Sequence, residues 1–289
     1  MRVQTTLLSV YIPLNDFWNP KEVSKLESTI DVSSFQDILY ERKDSTVILY
    51  YNRPDKRNAM TYHMVQEFRR AYDQIAADKE VRVVIMAAKG KAYCAGGDTT
   101  EFLTNTIEQT ERFQRENLEL WRQMEKLRKP IIAAVNGFAN IELIQACDIV
   151  VAAEDAKFGL PETGIGVSPG AGITIRLPRV VGKFIAKELL FTGDWIPATE
   201  AHRIGIVNRV VPPDKLLEEA LALAAKIAKR APLAIGAAKA CVNFGSEMSL
   251  DEGMEFQLRE SIEMFHSKDL KEGITAFFKE KREPRFTGE

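Results

Sequence analysis

The chain has 289 residues, 45% of them hydrophobic and 28% charged, and a net charge of −2. It is long enough for one large domain or two small ones, its composition is that of ordinary globular proteins, and its charge excludes a basic surface for bulk nucleic-acid binding. Cys94, Cys147 and Cys241 lack metal-type spacing and fit a reduced, cytoplasmic protein. With only three histidines and no carboxylate cluster, no metal site is expected. No apolar run nears the roughly 20 residues of a membrane-spanning helix. The N-terminal stretch, broken by Pro13 and Asp16, reads as neither signal nor transit peptide.

Residues 1–33 mix apolar pairs with Pro13, Trp18 and Pro20 and read as an appended arm or a partly ordered tail. Residues 36–43 and 46–51 predict a hairpin turning at Asp44-Ser45, with Val47, Leu49 and Tyr51 alternating. Asn52 to Asn58 is polar, contains Pro54 and reads as a loop. Thr61 caps a predicted helix to about Ala77, with Met64, Val65, Phe68, Tyr72 and Ile75 on one face. Val81 to Ala87 predicts a strand buried on both sides. Lys89 to Asp98 is a loop in which Gly96-Gly97 lets the backbone approach a ligand closely; read alone it is an ordinary strand-to-helix turn. A long helix is predicted over Thr106–Leu127, ended by Lys129-Pro130.

The chain is organised around residues 131–172. Ile131 to Val135 predicts a buried strand that stops at the Asn136-Gly137 turn. A short helical pattern follows from about Asn140 to Ala146, then a strand over Ile149–Ala153, then a loop with Gly164, Gly166, Gly170 and Gly172. Glu142 and Glu162 each lie beside apolar residues, and carboxylates so placed need partners or carry shifted pKa values. Read alone, Glu142 is a helix residue near an N-terminus and Glu162 a loop residue bonded to backbone. Ile173–Val181 and Lys183–Leu190 predict helices, Thr199–Ile204 a short helix and Ile206–Val211 a short strand. From Asp214 to about Lys281 the pattern is helical, in four pieces broken near Pro232, Ser246–Ser249 and Ser267–Asp269. The alternation of strands and helices predicts an α/β core.

Several of these segments, in this order, resemble the enoyl-CoA hydratase/isomerase (crotonase) superfamily, and the hydratases most. They are Asn52–Ala59 (NRPDKRNA), Ala92–Asp98 (AYCAGGD), residues 133–172, Arg176–Arg179 with Val181-Gly182, Phe191–Gly193, and Lys271–Gly273 with Ala276-Phe277. The resemblance runs from about residue 36 to 286. It implies a crotonase (ClpP-like) spiral of ββα units over residues 34–212. Residues 213–289 would form a helical region packing between subunits of a homotrimer or of a homohexamer built from two trimers.

The resemblance also implies an acyl-CoA substrate, no metal or redox cofactor, no nucleic-acid or membrane partner, and an enolate-like oxyanion stabilised by two backbone amides. One amide falls at Gly97 and, counting back from Glu142, the other at Ala139. Glu142 and Glu162 would flank one water, the first as base and the second delivering a proton to Cα. The CoA moiety would lie along Lys56, Arg57 and Ala59, with Lys279 or, as the better match, Lys281 near its phosphates. Read without the resemblance, these are a solvated basic loop and a charged helix face. Cys94 is expected to be a packing residue. One departure stands out: Asn136-Gly-Phe-Ala-Asn-Ile-Glu142 is about three residues shorter than the family pattern and lacks its glycine run. Ile173 and Ile175 also make the nearby wall more apolar. The expected activity is therefore enoyl-CoA hydration, weakened by a misplaced second donor. The alternatives are an isomerase or another lyase of the superfamily using one glutamate, or an acyl-CoA-binding protein without activity.

Overall fold

The structure, a computed structural model, describes residues 31–289; the arm expected at residues 1–33 falls outside them apart from its last three positions. The hairpin is present as β1 (Ile38–Lys43) and β2 (Thr46–Tyr51), with Asp44 at positive φ in the turn. All six residues of β2 are buried, rather than alternating, because it is an interior strand. Thr61 caps α1 (Tyr62–Ala77), its hydroxyl accepting from the Met64 N–H, and the expected apolar face is buried.

Two sheets form the core. The larger holds β1 and β2, then β3 (Val83–Ala88), β5 (Ile131–Val135), β7 (Ile149–Ala153) and β10 (Arg209–Val211), in that order. From β2 onward its strands run parallel. The smaller holds β4 (Ala92–Cys94), β6 (Phe138–Asn140), β8 (Lys157–Gly159) and the antiparallel edge β9 (Ile196–Pro197). Each of β3, β5 and β7 passes through a short turn into β4, β6 and β8, so successive units place one strand in each sheet. This is the spiral of ββα units that the sequence resemblance implied. Gly137 makes one of these turns; its φ is +56° and a Cβ there would meet the Lys91 carbonyl oxygen at 1.9 Å.

The helical pattern expected from Asn140 to Ala146 is corrected. Phe138–Asn140 is strand, paired with β4 on one side and β8 on the other, and only a 3₁₀ turn, Ile141–Leu143, follows. Ladder partners distant in sequence on both sides outweigh the local helical pattern.

Between the sheets' strands run α2 (Thr99–Thr104), absent from the sequence expectation, and α3 (Ile107–Lys126), which Thr106 and Gln109 close with a reciprocal capping box. After the glycine-rich loop come α4 (Ile173–Val181), α5 (Lys183–Thr192) and α6 (Ala198–Arg203). The C-terminal region comprises α7 (Leu216–Ala228), α8 (Pro232–Asn243), α9 (Leu250–Ile262) and α10 (Lys268–Ile274), the last continued by a π-helical turn to Glu280. Helix α7 packs on the large sheet. Lys239 fixes α8: its buried ammonium reaches Asp148 at 2.8 Å and donates to the carbonyls of Met124 and Lys129. Helix α9 buries no residue and exposes Leu250, Met254, Leu258 and Ile262.

Candidate active site

Three segments leave the C-terminal ends of the adjacent parallel strands β4, β6 and β8. Neighbouring strands lie about 4.8 Å apart, so whatever follows them converges. Ala95 to Asp98 follows β4, the Ile141–Leu143 turn follows β6, and a second 3₁₀ turn, Pro161–Ile165, follows β8 after Leu160. Glu142 and Glu162 each occupy the second position of their turn. The two glutamates that are 20 positions apart in sequence are thus brought together, because Asn140 pairs with Gly159 in the β6–β8 register.

Asn140 joins them. It is 1% exposed. Its Oδ1 accepts the Glu142 backbone N–H at 2.9 Å, and its Nδ2 donates to Oε1 of Glu162 at 2.5 Å. The other carboxylate oxygen of Glu162, Oε2, is buried without a hydrogen-bond partner. Burial, and secondarily the charge of Glu162, push the Glu142 carboxyl up to about 7. Glu142 is therefore partly protonated near neutrality, and a pair that holds one proton can accept a proton on one carboxylate while its neighbour donates one. Sequence reasoning missed Asn140; the preference of Asn for helix caps is the signal that could have singled it out.

The loop after β4 is held against the Asn52–Ala59 segment. Met60 N–H donates to Gly96 O and Asp98 N–H to Met60 O, both at 2.8 Å, and Ala95 N–H donates to Arg57 O at 3.1 Å. In such a parallel bridge the intervening residue turns its own N–H away. The Gly97 amide thus faces outward from Met60. A Cβ on Gly97 would come within 2.3 Å of the Phe102 ring, so any larger residue would have to displace that ring. Asp98 caps α2 and holds Arg53 at 3.0 Å.

Ala139 lies elsewhere than expected. It is the centre of β6, 0% exposed, paired with Cys94 and with Phe158. Its backbone groups face neighbouring strands, because no glycine run is present to lift the chain out of the sheet before Glu142. Cys94 is buried, its thiol donating to Asn58 O and pushed up to about 12 by burial, which removes it as a nucleophile.

Lys56 and Arg57 are exposed and Ala59 half-buried, on a turn with Arg57 and Asn58 at positive φ. Buried Asn58 braces it, donating to Lys89 O and Ala92 O beyond the exit of β3. Lys281 is not brought to this turn. The tail that follows it docks at the entry of β3, where Arg82 donates to Phe286 O. The length of β3 separates the two places, roughly 20 Å for six residues. Opposite the site, Ile173 is buried while Ile165, Val167 and Ile175 are exposed. Among the described residues one group has the composition of a metal site, Asp37, His63 and Glu67, with ligand atoms within 4.8 Å of one another. Glu67, however, already accepts three backbone N–H groups, from Gln36, Asp37 and Ile38.

Residues 41–289 match the family model described as enoyl-CoA hydratase/isomerase. A crotonyl-CoA hydratase of Syntrophomonas wolfei is 38% identical over 257 residues, covering 88% of this chain and 98% of that protein. A short-chain-enoyl-CoA hydratase of Clostridium acetobutylicum is 38% identical over 251 residues, 85% of this chain and 96% of that one. Among solved structures, the enoyl-CoA hydratase of Bacillus anthracis superimposes with a TM-score of 0.85 at 38% identity, over 88% of this chain and all of its own. The spiral architecture is therefore the crotonase fold, and the chain belongs to the enoyl-CoA hydratase/isomerase family.

Proposed function

We propose that the protein hydrates 2-enoyl-CoA thioesters, adding water across the 2,3 double bond with Glu142 and Glu162 as the acid/base pair. The observation that carries this reading is the convergence of both glutamates on one side-chain amide, Asn140, with an unpartnered Glu162 oxygen left for a water. The relatives named as crotonyl-CoA and short-chain-enoyl-CoA hydratases support it. In the forward step the water oxygen bonds to C3, one glutamate takes a water proton and the other gives a proton to C2. The atoms of one water are consumed and the pair returns to its starting charge. The expected division makes Glu142 the base and Glu162 the acid, so the pair works while it still holds one proton, which burial keeps on it to about pH 7. Gly97 N–H is the proposed oxyanion donor. Ala139 is withdrawn as the second donor, since its amide belongs to the ladder. With one donor in place of two, turnover falls by about 10²–10³ relative to a two-donor site.

Lys56, Arg57 and Ala59 form the proposed CoA-binding edge, adjacent to Gly97 through the Ala95–Arg57 bond. Lys281 joins a CoA site only in another copy of the chain. A homo-oligomer, trimer or hexamer, is part of the proposal, supported by the uncovered apolar residues of α9 and by exposed Phe265, Phe277 and Phe278. A cytoplasmic location is proposed on the three free cysteines; among the described residues no helix is long and apolar enough to cross a membrane. The reading calls for no group other than the CoA thioester itself.

The test is purified protein with crotonyl-CoA, following loss of the conjugated enoyl-thioester absorbance. Slow but saturable hydration is expected. Binding without any hydration would leave the second reading, an acyl-CoA-binding protein, which the loss of the Ala139 donor favours. Light scattering should show an oligomer at micromolar concentration; a stable monomer would remove that part.

A further inference from the structure

We infer that Asn140 is a positioning residue of the glutamate pair, its side-chain amide tying the main chain of Glu142 to the carboxylate of Glu162. The inference deepens the hydratase reading and rests on it for the reaction, though not for the geometry. Three contacts fix the amide. Oδ1 takes the Glu142 N–H at 2.9 Å, Nδ2 gives to Glu162 Oε1 at 2.5 Å, and Nδ2 lies against Gly96, where an added Cβ would approach it to 2.9 Å. The orientation follows from chemistry: the partner on one side is a donor and the partner on the other an acceptor, so a flipped amide would oppose like to like.

The residue is specific to this arrangement. Aspartate could accept the Glu142 N–H but would face Glu162 with a third carboxylate. Serine could accept the same N–H but is too short to span to Glu162. A hydrophobic residue would leave both partners unsatisfied in a buried place. Engaging Oε1 also leaves Oε2 as the one oxygen of Glu162 free to meet water or substrate. The shortened loop is what makes this possible, since it runs Asn140 from the last strand position directly into the cap of the Glu142 turn.

The ionisable groups around the pair are few. Glu142 faces Glu162 from the Pro161–Ile165 turn and Cys94 from β4. Arg53, the nearest cation on that side, is held by Asp98 and Asp37. Lys183, Lys187 and Glu188 on α5, which packs on the Glu162 turn, are exposed. Adding a charge beside the pair destabilises its doubly ionised form more than its singly ionised one, so the titration near neutrality moves upward, whereas removing the donor to Glu162 acts on both forms and leaves that titration nearly in place.

The experiment uses the full chain carrying ¹³C-carboxyl glutamate, titrated by NMR as wild type, Asn140→Ser and Asn140→Asp, with Glu142→Gln assigning the resonance. The wild type is expected to titrate near neutrality. Asn140→Asp should shift it upward, and Asn140→Ser should leave it nearly in place. With crotonyl-CoA, kcat should fall by about 10–100-fold, the weight of one or two buried hydrogen bonds, with KM little changed. Unchanged kcat in a folded Asn140→Ser protein, or an unshifted titration in a folded Asn140→Asp protein, overturns the inference. Should Asn140→Asp fail to fold, the serine variant, which keeps the cap and adds no charge, decides alone. A wild type that titrates as expected but hydrates nothing would sink the hydratase reading and leave the role of Asn140 standing.

Discussion

Two buried carboxylate clusters stand a short way apart in this molecule, and they are built on opposite principles. Glu67 on α1 is 0% exposed, yet its oxygens accept the N–H groups of Gln36, Asp37 and Ile38 at 2.7–3.1 Å. Asp37 beside it accepts from Thr61 and contacts His63 and Arg53. These bonds join the start of β1 to α1 and engage both oxygens of Glu67. Glu142 and Glu162 are the reverse: one carboxyl is pushed up to about 7 by burial and its neighbour's charge, and the other keeps a buried oxygen without a partner. A charge satisfied by fixed donors is a brace, and a charge left under-satisfied is available for work. Residue type and proximity alone would have ranked Asp37, His63 and Glu67 first.

The largest effect that separates the two clusters concerns Glu162. Glu162→Gln should lower turnover of crotonyl-CoA by about 10²–10⁴, the weight of a positioned acid/base, while the protein stays folded and binds the thioester. Turnover like that of the wild type would remove Glu162 from the chemistry. Glu67→Gln should do the opposite. Its amide would oppose N–H groups it cannot accept from, costing about 2–4 kcal/mol in urea unfolding, with turnover per folded molecule unchanged. If activity fell while stability held, the brace would be a site after all.

Glu142→Gln sharpens the contrast through pH. The folded-state pKa of Glu142 lies above its unfolded value, so the native state binds this proton more tightly and loses stability as pH rises from about 4.5 through about 7. Removing the charge should therefore stabilise the protein at pH 8, by at most about 3 kcal/mol, and leave it nearly unchanged at about pH 3, where the carboxyl is protonated in both states. Equal stabilities of mutant and wild type at pH 8 would contradict the strained state of the pair. The smallest effect belongs to the exposed turn. Lys56→Ala with Arg57→Ala should raise KM for crotonyl-CoA about fivefold at low salt, and less at high salt, as expected for solvent-exposed charge contacts. No change would detach CoA from this edge.

The sequence made the long elements legible because their periodicity is local. Strands β3, β5 and β7, the capped helices α1 and α3, and the breaks between the C-terminal helices all lie where pattern and caps place them. The three-residue strands of the small sheet were not legible, since they exist only through partners far away in sequence, and this is why Ala139 was expected at a helix start and is found in a ladder. The pairing of Glu142 with Glu162 could be anticipated from the motif around Phe158–Glu162. The link through Asn140 could not, because it depends on β6 and β8 ending side by side. The course of the tail after Lys281 was not legible for the same kind of reason: its place on the last helix says nothing of which end of the sheet the tail reaches.

The central claim is that a buried glutamate pair sharing about one proton does the chemistry, with Glu142 working in its ionised form. The pH dependence of kcat/KM for crotonyl-CoA hydration tests it most directly, because that ratio reports the ionisations of the free enzyme. The account predicts a rate that falls as pH rises through about 7, where the pair loses the one proton that the step to C2 needs, with this limb absent from whatever residual activity Glu142→Gln retains. A rate that rises through the same range, or a flat profile from pH 6 to 8, would contradict the claim outright.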